Sequence, residues 1–356
     1  MGNNKEKAPV TVLYGGLDKM RSNTGAISVR HNGSNLIYLL PKNTDNLKLV
    51  KILRLCFGSL EKGRFVDAPS TLITDGPFPT YNPFTLSRLK IISISHGHLL
   101  KKQGLNGYRG WKKIYKYLVI RYRSLFIDEY WTTAVSQIYN VQKSFLVSKR
   151  KVKVLKLPKY CLPNYDRNKL LELLEIESTP NKLVLIAPTW RRSRFGNTQA
   201  GLDLVAFFKW LKQGRINLLI DNNIQLVIRP HPITSDYLDT SLKNVSVADS
   251  SLIEIIEPYL SAFDLVVSDY SGILADAAFV NVSALAYIEG IEIFKKNKGL
   301  YDGVQELLEG IGVASFQDLY EYLIFNKDVN QVASKKLVDF FFDKRLQSYE
   351  NRLFRY

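Results

Sequence analysis

Cysteine is nearly absent from this chain: Cys56 and Cys161 are the only two in 356 residues. They stand far apart and outside any metal-ligand spacing, which excludes a disulfide framework and a structural zinc site and fits a reducing compartment. Histidine is scarce as well, with four residues, and no Asp-x-Asp pair occurs. No metal is therefore required and no cofactor is expected; Asp269 could hold Mg2+, but a backbone-orienting role suits it better. No run of about eighteen apolar residues exists, so no membrane-spanning helix is predicted. The opening Met1-Gly2-Asn3-Asn4-Lys5-Glu6 lacks the apolar core of a signal peptide, and Glu6 stands where a myristoylation signal places Ser or Thr. These absences predict a cytoplasmic protein. Internal repeats and low-complexity tracts are missing too.

Positive charge is abundant and unevenly placed. The formal charge is +16, and the span from Gly76 to Tyr165 holds seventeen Lys and Arg against only Asp128 and Glu129. One lobe is basic and the remainder is close to neutral, so the excess describes a surface. Lys101, Lys102, Arg109, Lys112, Lys113, Lys116, Arg121 and Arg123 alternate there with Trp111, Tyr115, Tyr117, Leu118, Ile120, Tyr122 and Phe126. Cations mixed with aromatics suit a helix lying in the headgroup layer of an anionic membrane. The alternative is a solvated helix face backed by a buried aromatic stripe. Nucleic acid is the weaker partner, because no nucleic-acid motif accompanies the charge.

Apolar runs alternate with longer helical patterns through most of the chain, the rhythm of parallel sheets covered on both faces. Strands are predicted at Val10–Tyr14, Leu36–Leu40, Thr71–Thr74, Leu89–Ile94 and Val152–Leu155, with helices at Leu47–Phe57, Trp111–Phe126 and Ser136–Leu146, the last capped by Ser136. Prolines mark a hinge around Pro158–Tyr165. Beyond it, strands are predicted at Leu183–Ala187, Ile224–Ile228, Val245–Val247, Leu265–Val267 and finally Leu285–Ile288, with helices at Leu202–Lys212 and Leu252–Leu260. The chain is long enough for two domains. We expect two doubly wound α/β domains facing a central cleft, over residues 1–160 and 161–330. A helical tail over 331–356 follows, with Leu337–Phe342 packing back across the first domain.

In such sheets ligands bind outside the carboxyl ends of the strands, and the polar clusters fall there. Leu265-Val266-Val267 leads into Ser268-Asp269-Tyr270-Ser271-Gly272 and then a helical pattern. That turn offers backbone N–H groups and hydroxyls to a phosphate, or it is merely a capped strand–helix corner. His96 and His98 follow one strand, His231 sits between two prolines after another, and Ala187-Pro188-Thr189-Trp190-Arg191-Arg192 closes a third. Histidine can take a proton from a hydroxyl near neutral pH, and arginine can neutralise a diphosphate.

The ordered set His-Gly-x-x-x-Lys at 96–101, Ala-Pro-Thr-Trp-Arg at 187–191, Arg-Pro-His-Pro at 229–232 and Ser-Asp-Tyr-Ser at 268–271 resembles the CDP-glycerol glycerophosphotransferase family, the teichoic-acid primases and polymerases. The resemblance covers roughly residues 85–290. The chain departs from the usual pattern at His98 and Leu99, where the family has Thr-Pro, and at Gly272, where it commonly has a second Ser. The resemblance implies a GT-B fold. It also implies transfer of glycerol phosphate, or a similar polyol phosphate, from CDP-glycerol or a related CDP-polyol to a hydroxyl on a lipid-linked or polymeric acceptor. CMP would be released, in teichoic-acid-like or capsular polymer synthesis. His96 and His231 correspond to the family's catalytic histidines. Arg191, Arg229, Ser268, Asp269, Ser271 and Gly272 would bind the donor. Lys101, Lys102, Lys112, Lys113, Lys116, Arg121 and Arg123 would face the acceptor or the inner surface of the cell membrane, making the enzyme peripheral. The competing readings are a GT-B glycosyltransferase using a nucleotide sugar and a non-catalytic polyanion binder.

Overall fold

The structure, a computed structural model, describes residues 10–14, 36–39, 69–74, 90–95, 97–108, 110–189, 201–230, 242–325 and 331–346. The chain divides into two compact units. The first comprises Met1–His96, Gly104–Leu162 and Arg345–Tyr356; the second comprises Gly97–Gln103 and Pro163–Lys344. The short segment Gly97–Gln103 thus follows a strand of the first unit yet packs with the second.

The first unit is built on a six-stranded sheet of β1 (Val10–Tyr14), β2 (Leu36–Leu39), β3 (Pro69–Thr74), β4 (Lys90–Ile94), β5 (Glu129–Thr132) and β6 (Val152–Val154). The order is β2-β1-β3-β4-β5-β6 and every pairing is parallel. Ile73, Ile92, Ile94, Trp131 and Leu157 form a buried cluster on this sheet. Helices α1 (Trp111–Phe126) and α2 (Gln137–Phe145) belong to this unit. Ser136 precedes α2 in helical conformation and makes no side-chain cap, so the expected cap is not formed. The helix expected at Leu47–Phe57 lies outside the described residues.

The second unit carries β7 (Lys182–Ile186), β8 (Ile224–Ile228), β9 (Val245–Val247), β10 (Leu265–Ser268), β11 (Ser283–Tyr287) and β12 (Gly312–Val313). They pair in parallel in the order β12-β11-β10-β7-β8-β9. Counted within the unit, this is the Rossmann order, with the chain reversing its direction of winding between β7 and β10. Leu183–Ile186, Leu226–Ile228 and Leu265–Val267 are almost wholly buried, as continuous apolar runs must be in a sheet covered on both faces.

Its helices are α3 (Arg167–Leu173), α4 (Leu204–Leu211), α5 (Ile216–Asp221), α6 (Ile273–Phe279), α7 (Ile291–Asn297), α8 (Val304–Gly310), α9 (Phe316–Ile324) and α10 (Gln331–Phe341). Asp166, Asp203 and Ser315 cap α3, α4 and α9 by accepting from Lys169 N, Ala206 N and Asp318 N at 2.8, 3.1 and 3.0 Å.

Three expectations need correction here. The helix predicted at Leu252–Leu260 is only a 3-10 turn at Glu257–Ala262, because Pro258 suits the first turn of a helix but not its interior. Leu285–Ile288 is not the last strand, since β12 follows it. Leu337–Phe342 pack within the second unit, with Leu337 and Phe341 fully buried and Phe342 stacked on Phe279 at 4.2 Å. The apolar face of α10 is therefore part of the second core, not a strap on the first domain.

Candidate active site

The crevice outside the carboxyl ends of β7 and β10 lies at the point where the winding of the second sheet reverses. β7 runs into Ala187-Pro188-Thr189, and β10 runs into Asp269-Tyr270-Ser271-Gly272 before α6 begins. The two ends are tied together. Ala187 N donates to Val267 O at 2.9 Å, and the buried Ser268 hydroxyl donates back to Ala187 O. Asp269 is 1% exposed, and its Oδ1 accepts from Thr189 N and from Tyr270 N, each at 2.8 Å. Two backbone donors thus satisfy a carboxylate that would otherwise be costly to bury.

Asp269 also meets the chain where it re-enters after residue 200. Gly201 has φ +90°, and a Cβ there would stand 2.6 Å from Asp269 Oδ2. Both the backbone angle and the space demand glycine. Gly201 N donates to Glu289 O at 2.9 Å, and the Tyr270 hydroxyl donates to the same carbonyl at 3.0 Å. The fully buried Tyr270 stacks on Phe294 with centroids 3.9 Å apart. Asp269 therefore bonds Thr189 on one side and packs against Gly201 on the other, the two residues that flank the segment carrying Arg191. Ser271 and Gly272 are partly exposed on the rim. The Ser271 hydroxyl lies 3.5 Å from Ile273 N, at the limit of a hydrogen bond.

The segment Gly97–Gln103 borders this corner. A Cβ on Gly272 would lie 3.3 Å from His98 N, and His98 Nε2 lies 3.0 Å from Asp276 Oδ1 one turn into α6. The imidazole is buried against Phe341 and Phe342, at centroid distances of 5.0 and 4.7 Å. Two departures from the family pattern, His98 and Gly272, therefore touch: the side chain is larger on one side of the contact and absent on the other. Further along, Leu100, Lys101 and Lys102 run beside Gly299–Tyr301. Tyr301 N donates to Leu100 O at 3.0 Å, and Lys102 N donates to Gly299 O at 2.9 Å. Burial from water pushes the Lys101 ammonium below the usual lysine range; the nearby Asp269 charge opposes this and Lys298 adds to it.

On the first unit, α1 presents its apolar residues outward. Trp111 is 85% exposed, Ile114 56%, Tyr115 65%, Leu118 63% and Leu125 57%. Their spacing puts them on one helical stripe. Lys112, Lys113 and Arg121 are exposed, and Lys116 and Arg123 partly so. The buried aromatic stripe considered as the alternative is not what the helix shows: its inward face holds Ser124 instead.

A family model described as CDP-Glycerol:Poly(glycerophosphate) glycerophosphotransferase matches residues 12–352. The chain belongs to this family. Among its relatives is the teichoic acid glycerol-phosphate primase of Bacillus subtilis, 22% identical over 291 residues, covering 80% of this chain and 70% of the primase. A teichoic acid poly(glycerol phosphate) polymerase of Bacillus spizizenii is 26% identical over 175 residues, 47% of this chain and 43% of the polymerase. The solved structure of the wall teichoic acid polymerase TagF has the same fold, with a TM-score of 0.69 at 16% identity over 93% of this chain and 83% of that one.

Within this glycerophosphotransferase fold the expected site residues separate into three groups. Asp269, Ser271 and Gly272 come together at the corner between β7 and β10. Ser268 and Arg229 make hydrogen bonds within the fold. The Ser268 hydroxyl is committed to Ala187, and the Arg229 guanidinium donates to the carbonyls of Ala248, Asp249, Ile253 and Glu254. Both were expected to bind the donor; in the structure these groups hold strand ends and the loop after β9. Lys101 and Lys102, which precede the basic helix in sequence, belong to the second unit. His96, His231 and Arg191 lie outside the described residues.

Sequence reasoning gave Gly201 no role and assigned none to the contact of His98 with Asp276. The first has no local signal, since a glycine after a polar stretch reads as any loop. The second could have been suspected from Asp276 sitting one turn into a helix without a lysine or arginine nearby in sequence. No group of three or more His, Cys, Asp or Glu suited to a metal ion occurs among the described residues.

Proposed function

We propose that the protein transfers glycerol phosphate, or a closely related polyol phosphate, from a CDP-activated donor to a hydroxyl of a growing teichoic-acid-like or capsular polymer, releasing CMP. The family match across residues 12–352 carries this reading, and the corner built on Asp269 supports it. That corner lies where doubly wound sheets bind nucleotides, and it offers Ser271, Gly272 and the turn's free N–H groups to phosphoryl oxygens. Phosphoryl transfer needs positioning and charge stabilisation more than covalent chemistry. Asp269 acts as an orienting group that bonds Thr189 and packs against Gly201, on either side of the segment carrying Arg191. His96 takes the proton of the incoming hydroxyl as it attacks the distal phosphorus, and His231 with Arg191 stabilises the charge that the departing CMP takes up. Replacing either histidine by Ala lowers turnover by about 10²–10⁴-fold with the fold intact. Turnover and circular dichroism of both variants test this, and wild-type turnover in both would end it.

The outward apolar stripe of α1 with its flanking cations supports a peripheral position on an anionic membrane, where a lipid-linked acceptor would be met. Each lysine or arginine near such a surface contributes about 1 kcal/mol, and the apolar stripe adds its own burial. No helix among the described residues is long and apolar enough to cross a membrane.

A further inference from the structure

We infer that Glu289 is a diol-binding residue of the donor site, its carboxylate accepting hydrogen bonds from two neighbouring hydroxyls of the CDP-activated donor, either those of the ribose or those of the polyol. The inference rests on the function proposed above and concerns the donor's hydroxyls, which the phosphoryl contacts leave unrecognised.

The topology supplies the position. β10 and β11 are parallel neighbours joined through α6, with the Asp269 turn after the first strand and Glu289 two residues beyond the end of the second. In dinucleotide-binding βαβ units an acidic side chain in this place, about 20 residues after the phosphate turn, takes the ribose hydroxyls. Glu289 follows Ser271 by 18 residues. Direct contacts tie it to the corner. Glu289 O accepts from Gly201 N at 2.9 Å and from the Tyr270 hydroxyl at 3.0 Å, and a Cβ on Gly201 would stand 2.6 Å from Asp269 Oδ2.

The side chain is also held in place. Ile291 N donates to Ile288 O at 3.0 Å, closing a turn in which Glu289 is the second residue and Gly290, at φ +71°, the third. Glu289 is exposed, yet the hydroxyl of the fully buried Tyr287 donates to its Oε2. An exposed glutamate ordinarily samples several rotamers. This one is fixed through one oxygen, so less side-chain freedom is lost when a ligand binds. Its Oε1 has no hydrogen-bond partner among the described residues. The acids around it are engaged: Asp269 Oδ1 accepts two backbone N–H groups, Asp276 Oδ1 lies on His98, and Glu292 Oε1 accepts from Gln305. A carboxylate accepts from hydroxyls and repels phosphate, so Glu289 suits the uncharged, hydroxyl-bearing part of the donor.

Titration calorimetry of the full chain with CDP, 2′,3′-dideoxy-CDP and CDP-glycerol tests the assignment, using wild type, Glu289→Ala, Glu289→Gln and the surface control Glu306→Gln. With the ribose as ligand, Glu289→Ala weakens CDP and CDP-glycerol by about 10–150-fold and leaves 2′,3′-dideoxy-CDP within about twofold. With the polyol as ligand, only CDP-glycerol weakens by that factor. Glu289→Gln keeps an acceptor oxygen and should retain part of the affinity, and Glu306→Gln should match wild type. Removing a negative charge by itself tightens the binding of an anion, so a loss in Glu289→Ala runs against bulk electrostatics. Unchanged or tighter binding of all three ligands in Glu289→Ala, or an equal loss for all three, would overturn the assignment. The melting temperature of Glu289→Ala should stay close to that of wild type, because the side chain is exposed; should that variant not fold, Glu289→Gln takes its place with the same pattern. A wild-type chain that binds neither CDP nor CDP-glycerol would instead remove the donor reading itself, and this inference with it.

Discussion

Asp276→Ala is expected to cost the second unit several kcal/mol of stability. The Asp276 carboxylate and the His98 imidazole are 3.0 Å apart, and their side chains are only 6% and 2% exposed. Truncation takes the Asp276 oxygen away from a buried imidazole walled by Phe341 and Phe342. Breaking a buried pair from one side costs about 3–5 kcal/mol. For a domain of this size each kcal/mol moves the melting temperature by about 2–4 °C, so a fall of roughly 6–20 °C is expected. Asp276→Asn keeps an acceptor oxygen of the same shape and loses only the charge assistance, so about 1–2 kcal/mol is expected there. Differential scanning calorimetry on wild type and both variants measures this directly. The order of the two variants matters as much as the size. Asp276→Ala within about 0.5 kcal/mol of wild type, or Asn as damaging as Ala, would refute the argument that this pair anchors the Gly97–Gln103 segment.

Two further outcomes follow from the geometry. Replacing Trp111, Tyr115, Leu118 and Leu125 together by Ser should leave the melting temperature nearly unchanged, because all four side chains are largely exposed; sedimentation with anionic vesicles should be lost, and retention would contradict the membrane role of α1. Between the lowered pKa of Lys101 and the ordinary lysine value, the unfolded chain holds more protons at this site than the folded one, so Lys101 adds a stability term that rises with pH. This trend should flatten in Lys101→Met, as read by melting temperature across that range.

Much of the architecture was legible because its strands are written in uninterrupted apolar runs. Val10–Tyr14, Ile224–Ile228 and Val245–Val247 end where the residue pattern says they should, and Trp111–Phe126 is a helix from its first predicted residue to its last. Short helices were missed for a physical reason. Ile216–Asp221, Ile291–Asn297 and Val304–Gly310 span two turns or fewer, too few for a 3.6-residue period to show. At the site, the Asp269 turn announced itself as a polar cluster after a strand. Its partners did not: Thr189 lies 80 residues away and Asp276 lies 178 from His98, and no local pattern encodes such pairings. Arg229 has partners that the sequence did not announce. An arginine at a strand end looks like a phosphate ligand, yet here its donors satisfy loop carbonyls that would otherwise be left without partners. Lys101 heads a run of cations in sequence, yet the chain between it and α1 passes from one unit to the other, which no local pattern announces.

The reaction itself is the most direct test. The full chain should be incubated with CDP-glycerol and a crude lipid-linked acceptor, with UDP-sugars in parallel, and the released nucleotide separated and quantified. Release of CMP together with acceptor heavier by glycerol phosphate units, and no release of UDP, is the expected result. Release of UDP with sugar transfer, or no nucleotide release from CDP-glycerol, CDP-ribitol or any other CDP-polyol, would contradict it.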